Sequence, residues 1–196
     1  MYTIIEDSSP FYIRFTHDRM KEIIDVCQEE LKNNFFIKGF SHRILRKEAS
    51  DKILSLEPFT KTLMLNPHRV SLFVTKPGFY YRAHKDGAEN RMSINYTVQI
   101  LDDKCVTNWY DDSVSSYPLD TLGGNSREAI GFDKSKHVPI KTMTAKPNEC
   151  ILFNTDIWHD FDNSQSSNLR AILTLRSIHP GKFYFDDVKK LLLENV

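Results

Sequence analysis

The chain has little net charge, no long apolar run and few cysteines. Its 26 Lys and Arg residues balance 26 Asp and Glu residues, so no chain-wide field draws it to nucleic acid or to anionic membrane. No apolar run approaches the roughly 20 residues that span a bilayer. The N-terminus, with Glu6 and Asp7, lacks the basic and then apolar pattern of a secretion signal. We therefore expect an intracellular, cytoplasmic protein with no nucleic acid partner and no membrane partner.

The cysteines do not form a recognisable framework. Cys27, Cys105 and Cys150 are odd in number and show no CxxC spacing. This pattern argues against disulfide-stabilised folds and against a thiolate zinc site. We interpret them as small buried hydrophobic residues.

The remaining composition is typical of a globular domain. Hydrophobic residues make up 40% of the chain and charged residues 27%, and 196 residues suffice for one sizeable core. We expect a single domain over residues 1–196. It divides into a mixed α/β support at 1–68, a β core at 69–180 and a C-terminal helix at 181–196.

The N-terminal support is predicted to hold two short strands and then helices. Strand-like runs at 2–5 and 11–15 flank a Ser-Ser-Pro turn signal. A stripe of apolar residues at helical spacing follows, which predicts an amphipathic helix. The stripe comprises Met20, Ile23, Ile24, Cys27 and Leu31. A second, weaker helix is predicted at 49–56.

The β core shows short runs of period two, broken by Gly, Pro, Asn and Asp, which are typical of an all-β sandwich or barrel. The predicted strands cover 70–75, 79–83, 91–101, 106–110, 138–144, 150–154 and 170–178. The clearest, 91–101, alternates an apolar face with a polar face that includes Asn95. The segment 111–125 predicts a long loop, which either lies over a site or is a solvated surface loop.

One histidine and aspartate pair and one later histidine form a candidate metal site. His84 and Asp86 stand two residues apart directly after a predicted strand, so in extended geometry both side chains project from one face. His159 follows the predicted strand 150–154 and is the natural third ligand. Two imidazoles and one carboxylate form the facial triad that suits non-haem Fe(II). A lone His-x-Asp pair is common by chance, so a second signal is needed.

Arg170 is a second indication of a ligand site if its face of the strand lines the interior of the barrel. It opens the last predicted strand on the same face as Thr174 and Arg176. If this face lines a barrel interior, the guanidinium needs an anionic partner, and its planar fork suits the carboxylate of an acid co-substrate such as 2-oxoglutarate. If the face is solvated, Arg170 belongs to an ordinary strand surface. The residues alone leave both interpretations open.

A resemblance to a known family emerges from these residues together. The run Pro-Gly-Phe-Tyr-Tyr-Arg-Ala-His-Lys-Asp-Gly at 77–87, then Asn90-Arg91, His159-Asp160 and the strand 169–173, resembles the Fe(II)/2-oxoglutarate-dependent oxygenases. The nearest branch is the aspartyl/asparaginyl β-hydroxylases. In that branch a Pro-Gly precedes the first metal histidine and an Arg follows it at the spacing found here, and a His-Pro closes the core. The resemblance covers roughly residues 69–180.

The resemblance implies a fold and a set of site residues. The fold is a mainly β (α+β) protein with a double-stranded β-helix core, also called a jelly roll or cupin-like core, and flanking N-terminal and C-terminal helices. The metal ligands would be His84, Asp86 and His159. The distal carboxylate of 2-oxoglutarate would bind Arg170, or Arg176, because the spacing from His159 to Arg170 is one residue longer than usual. Asn95 and Arg91 would complete the co-substrate site.

The implied activity is that of a dioxygenase that uses Fe(II), 2-oxoglutarate and O2 to hydroxylate a substrate. The branch suggests an Asp, Asn or other side chain of a peptide or protein. The alternative is a cupin-like metal-binding or structural module without oxygenase turnover. Arg170 distinguishes the dioxygenase from the module without turnover, because a barrel that only binds a metal has no need for an interior guanidinium.

Overall fold

The computed structural model describes residues 2–32, 40–86, 91–112, 117–118, 130–131, 137–179 and 183–194. These residues form thirteen strands, three α-helices and a short 3-10 helix at Pro67–Arg69. The strands are β1 (Tyr2–Ser8), β2 (Tyr12–His17), β3 (Phe40–Ile44), β4 (Ser71–Thr75), β5 (Phe79–His84), β6 (Met92–Gln99), β7 (Val106–Tyr110), β8 (Tyr117–Pro118), β9 (Ile130–Gly131), β10 (Lys141–Thr144), β11 (Cys150–Asn154), β12 (Trp158–Asn163) and β13 (Arg170–Leu175). The helices are α1 (Met20–Lys32), α2 (Lys47–Leu56) and α3 (Phe185–Glu194).

Two antiparallel sheets form the body of the protein. The major sheet has seven strands in the order β1-β2-β11-β6-β13-β4-β3, and the minor sheet has four in the order β10-β7-β12-β5. Most neighbours in each sheet are distant in sequence, as in jelly rolls. The predicted mainly β jelly roll with flanking helices is therefore confirmed. The N-terminal strands β1, β2 and β3 extend both edges of the major sheet.

The alternation of β6 explains how the two layers pack. Its apolar residues, including Ile94 and Tyr96, join the core beneath the helices, together with Ile23 of α1 and Ile53 of α2. Its other face, which includes Asn95, is also buried. The minor sheet contacts the major sheet on this side, since Arg170 of β13, on the same face as Asn95, donates to Thr107 of β7. The polar face that the sequence predicts is thus the lining of an interior between two sheets. This interior contains the candidate site.

Most elements lie close to their predicted positions, but β3, β8, β9 and β12 are strands that the sequence does not predict, and β8 falls within the predicted loop 111–125. His159 lies inside its own strand, β12, rather than in a segment after β11. β12 escapes prediction because its sequence, Trp-His-Asp-Phe-Asp-Asn, is rich in residues that are rare in strands. Most of the predicted loop 111–125 lies outside the described residues. None of the described helices is long and apolar enough to cross a membrane.

The three cysteines behave as predicted. Cys27, Cys105 and Cys150 are free thiols, and all three are buried. Burial raises the pKa of the Cys150 thiol well above its ordinary value, with a further contribution from the nearby carboxyl group of Glu57. The thiol is therefore an inert part of the core.

A series of hydrogen-bonded polar side chains lies buried in the core beneath the helices. His17 Nδ1 accepts the Arg19 amide, so Nε2–H donates to the Tyr96 hydroxyl at 2.7 Å. That hydroxyl donates to the Glu57 carboxyl group, which also accepts the Phe59 amide at 3.1 Å. Burial raises the pKa of Glu57 to about 7 and lowers the pKa of His17 to about 4. Both groups therefore link stability to pH.

Glu57→Gln is expected to reduce the loss of folding stability that the protein undergoes as the pH rises. The raised pKa of Glu57 means that its contribution to stability is fully present below about pH 4.5 and is lost as the pH rises through 7. The variant lacks this loss, so its free energy of unfolding relative to wild type should rise by about 2–3 kcal/mol between pH 4.5 and pH 8. His17 acts in the opposite sense, since its stabilisation is present above pH 6.5 and lost as the pH falls through 4, but it is common to both proteins. Urea unfolding at pH 5 and pH 8 measures the difference, and an equal difference at both values would contradict the expectation.

Candidate metal centre

His84, Asp86 and His159 converge on one point. One ligand atom from each of the three side chains lies within 4.8 Å of those of the other two. His84 Nε2 lies 3.5 Å from Asp86 Oδ1, and the two imidazole centroids are 4.5 Å apart. Asp86 and His159 are buried, whereas His84 is half-buried. The three residues that the sequence singles out therefore form the only candidate metal cluster among the described residues.

Strand pairing explains why they meet. His84 ends β5 directly opposite His159 of β12, and the register between the two strands shifts between His159 and Phe161. The turn after β5 is tied to the turn between β11 and β12, since the Asp86 amide donates to the Thr155 carbonyl at 3.1 Å. Two backbone constraints thus bring a residue of the loop beside two residues of neighbouring strands.

His159 has the tautomer of a metal ligand. Its Nδ1 lies 2.8 Å from the Ile157 carbonyl, which can only accept, so Nδ1 carries the proton and Nε2 keeps its lone pair. Burial, together with the neighbouring His84, lowers the pKa of His159 to about 3. The imidazole is therefore neutral at physiological pH, which metal binding requires.

Asp86 is held as a carboxylate. Burial alone would raise its pKa, but the hydrogen bond with His84 and the nearby Arg176 guanidinium outweigh burial and hold the pKa well below its usual range. Arg176 Nη2 donates to Asp86 Oδ2 at 2.5 Å. The other oxygen, Oδ1, is the one that faces His84. Arg176 therefore holds Oδ2 and orients the carboxylate so that Oδ1 faces the cluster.

Arg176→Ala is expected to weaken metal binding at this cluster about 10- to 100-fold, as the loss of a group that orients a metal ligand does elsewhere. Arg176→Lys should recover part of the affinity, because a cation would remain near Asp86 Oδ2. Equilibrium titration with Co(II) measures the effect. Arg19→Ala, which removes a surface arginine paired with Glu22, is the matched control. Equal affinity in Arg176→Ala and in the control would show that Arg176 does not orient the ligand.

Arg170 lies on the interior face and is 4% exposed. Its Nη2 donates to Thr107 Oγ1 at 3.2 Å, and its Cζ lies 4.7 Å from the centroid of the Phe161 ring. Among the described residues, none places a carboxylate within 4.0 Å of the guanidinium. Burial lowers the pKa of Arg170 to about 10, so the group is still charged at neutral pH. The Asp160 carboxylate attracts the charge from beyond ion-pair distance and offsets burial only in part. A buried cation with no carboxylate in contact is costly unless a ligand supplies the anion.

Several other interior polar atoms are also buried without a hydrogen-bond partner. They are Asn95 Oδ1, Thr97 Oγ1, Trp109 Nε1 and Arg170 Nε. Each such atom costs about 1–3 kcal/mol unless something fills its hydrogen-bonding capacity. All four belong to strands that enclose the interior, on the faces where the two sheets meet. The interior therefore offers hydrogen-bonding groups that a polar ligand can satisfy.

Of the predicted co-substrate residues, Arg91 lies apart from the interior group. Its guanidinium lies over the ring of Tyr184, 4.7 Å from the centroid, and 3.6 Å from Asp156. Its backbone carbonyl accepts the Thr155 amide at 3.3 Å, which connects it to the segment that also holds Asp86. Arg91 is therefore one hydrogen-bonded residue away from the metal cluster.

The sequence reasoning did not single out Thr97 and Thr107. Both hydroxyls lie on the interior, where Thr107 holds Arg170 and Thr97 is opposite Ile172. The period-two alternation of β7 contains the signal, because it places Thr107 on the same face as Trp109. Threonine is so common in strands that its presence there carries no functional information.

Comparisons with known proteins find likeness in structure alone. No sequence family matches the chain, and no characterised protein matches it in sequence. The structure of EvdO2 from Micromonospora carbonacea var. aurantiaca matches with a TM-score of 0.54 at 10% identity, over 92% of this chain and 97% of that chain. EvdO2 complexed with 2-oxoglutarate gives a TM-score of 0.52.

A second protein has the same fold. The epimerase SnoN, in complex with Fe3+, alpha ketoglutarate and nogalamycin RO, matches with a TM-score of 0.52 at 9% identity, over 88% of this chain and 82% of that chain. At such identities the likeness shows the fold, and the predicted jelly roll is confirmed by it. The aspartyl/asparaginyl β-hydroxylase branch stays a prediction.

Proposed function

We propose that this protein is an Fe(II)- and 2-oxoglutarate-dependent dioxygenase. One observation carries the proposal, namely that Arg170 is a buried guanidinium without a carboxylate partner in the same interior as a cluster of two histidines and one aspartate. The iron and alpha ketoglutarate in the SnoN complex, which has the same fold, support it. A structural barrel would gain nothing from a buried charge with no carboxylate in contact.

The donor set fits iron. His84 and His159 would offer neutral imidazoles and Asp86 a carboxylate, which is the ligand combination of non-haem Fe(II) centres with open positions. Iron held there, together with 2-oxoglutarate and O2, supplies the oxidation of a substrate C–H bond to an alcohol. The chain itself fixes the ligand geometry through two hydrogen bonds. His159 Nδ1 donates to the Ile157 carbonyl, and Arg176 donates to Asp86 Oδ2.

Arg170 is the better candidate of the two arginines for the distal carboxylate of 2-oxoglutarate. Arg176 already donates to Asp86, whereas Arg170 has only a neutral hydroxyl partner, on Thr107. Thr75 lies directly opposite Arg170 on β4, and the partnerless hydroxyl of Thr97 lines the same interior. These threonines can complete the carboxylate site. Asn95 Oδ1 lacks a partner and suits the metal-binding end of the co-substrate, and Arg91 stays a predicted member of the site.

An aromatic wall protects the site from water. Phe153 and Phe161 pack edge-on against His159, with ring centroids 4.9 Å and 5.7 Å away. Trp109, on the strand next to His159, packs at a tilt against Phe153, with ring centroids 5.1 Å apart. Such a wall strengthens the electrostatic interactions within the site and shields reactive species from solvent.

The substrate is proposed to be a peptide side chain, Asp or Asn in the first place, as the branch resemblance suggests. The test is succinate formation from 2-oxoglutarate in the presence of Fe(II), O2 and peptides that contain Asp or Asn. Matched peptides with Ala at those positions are the control. Succinate that depends on His84 supports a dioxygenase, and a rise with the Asp or Asn peptides alone supports the substrate class. Tight iron binding without any succinate would favour a metal-binding module without turnover.

A further inference from the structure

A second polar cluster lies on the far side of the minor sheet, behind the metal centre. Asp160 follows His159 in β12, so its side chain projects from the opposite face of the strand. The residue is 0% exposed. Its carboxylate accepts hydrogen bonds from Asn108 Nδ2 at 2.9 Å, from the Tyr110 hydroxyl at 2.6 Å and from the Tyr80 hydroxyl at 3.1 Å.

These bonds connect every strand of the minor sheet. Tyr80 belongs to β5, which carries His84, and Asn108 belongs to β7, on the other side of β12. Asn108 Oδ1 in turn accepts the hydroxyl of Thr142 in β10 at 2.8 Å. A single buried carboxylate thus lies at the centre of a side-chain network across all four strands.

The network crosses β5 and β12 where their backbone pairing is irregular. His159 pairs with His84 and Phe161 pairs with Tyr81, so Asp160 lies at the register shift between them. A bulge of this kind changes the direction of the neighbouring side chains and leaves the local ladder incomplete. The hydrogen bond from Tyr80 to Asp160 therefore joins β5 and β12 next to the point where their backbone hydrogen-bond ladder is incomplete.

We propose that Asp160 is a positioning residue for the metal centre, which holds β5 against β12 at the bulge and thereby sets the separation of His84 and His159. The inference rests on the proposed metal binding by the triad. Hydrogen bonds to a buried carboxylate are short and strong, and removal of the carboxylate takes from the Asn108 amide and the two tyrosine hydroxyls the acceptor that joins their strands. Burial beside Asp160 also raises the pKa of Tyr80 and Tyr110, so both hydroxyls remain protonated donors.

The test is titration with Co(II) alone, followed by its visible absorbance. Asp160→Ala is expected to weaken Co(II) binding about 10- to 100-fold and to change the shape of the d–d band, as loss of a supporting group does at other metal sites. Tyr80→Phe deletes only the hydroxyl that joins β5 to Asp160, and it should shift both readouts in the same direction by a smaller amount. Tyr12→Phe is the matched control, because it removes a buried hydroxyl that donates to a carboxylate, Glu6, at 2.6 Å in the major sheet.

The outcomes separate the inference from the proposed function. Failure of the wild-type protein to bind Co(II) would overturn the metal centre itself. Tight binding by wild type, with unchanged affinity and spectrum in Asp160→Ala and Tyr80→Phe, would overturn the positioning role alone. Equal weakening by Tyr80→Phe and Tyr12→Phe would reduce the effect to general destabilisation and would also overturn it. If Asp160→Ala does not fold, Tyr80→Phe compared with Tyr12→Phe decides the question.

Discussion

Arg170→Met is expected to lose 2-oxoglutarate binding and, at the same time, to stabilise the ligand-free protein. The guanidinium is 4% exposed, has one neutral hydrogen-bond partner, Thr107, and is attracted by Asp160 only from beyond ion-pair distance, so without a bound anion its burial is poorly compensated. Its replacement by an apolar chain of similar length removes that cost, which we expect to raise the free energy of unfolding by about 1–4 kcal/mol. The affinity for 2-oxoglutarate should fall at least about 100-fold, since a bidentate ion pair is lost.

Arg14→Met is the matched control for that substitution. Arg14 is also a buried arginine, but its guanidinium is paired with Glu149 at 3.1 Å and with Glu6 at 3.2 Å. The control should lose about 3–5 kcal/mol of stability and keep its affinity for 2-oxoglutarate. Chemical denaturation measures the stabilities, and isothermal titration of Mn(II)-loaded protein measures the affinities. Equal destabilisation by the two substitutions, with 2-oxoglutarate binding retained in Arg170→Met, would show that Arg170 is a structural residue.

His84→Ala is expected to remove metal binding with little effect on the fold. His84 supplies one of three ligands, and its side chain is the most exposed of them, at 21%, so truncation leaves no large cavity. The affinity for Fe(II) should fall by more than about 100-fold, beyond the effect expected for Arg176, because a ligand itself is lost. Anaerobic equilibrium dialysis against Fe(II) measures it. His68→Ala, in the 3-10 helix away from the cluster, is the control, and equal metal content in the two variants would contradict the assignment.

The sequence was most informative where one face of a strand is apolar. The alternation in β6 and the helical stripe of α1 both appear in the structure at the predicted positions, because burial of one face dictates both patterns. The alternation could not show whether the polar face of β6 meets solvent or a second sheet. That distinction decides the environment of Asn95, and it depends on tertiary packing.

The metal ligands of the site were predictable from the sequence, whereas the residues that orient those ligands were not. His84 and Asp86 share one local motif, and His159 follows the predicted strand 150–154. The choice between Arg170 and Arg176, in contrast, needs a contact over a long sequence separation, from Arg176 to Asp86. The network around Asp160 was not predictable at all. Its members come from four strands, and the register shift that brings Tyr80 beside Asp160 leaves no pattern in the sequence.

The measurement that tests the central claim most directly is the visible absorbance of the anaerobic protein loaded with Fe(II), before and after addition of 2-oxoglutarate, with His84→Ala and Arg170→Met alongside. We predict a new absorption band in the wild-type protein, none in His84→Ala, and a band in Arg170→Met only at far higher 2-oxoglutarate concentration. A wild-type protein that binds Fe(II) tightly and shows no band at any 2-oxoglutarate concentration would contradict the assignment of this interior as an Fe(II)/2-oxoglutarate site.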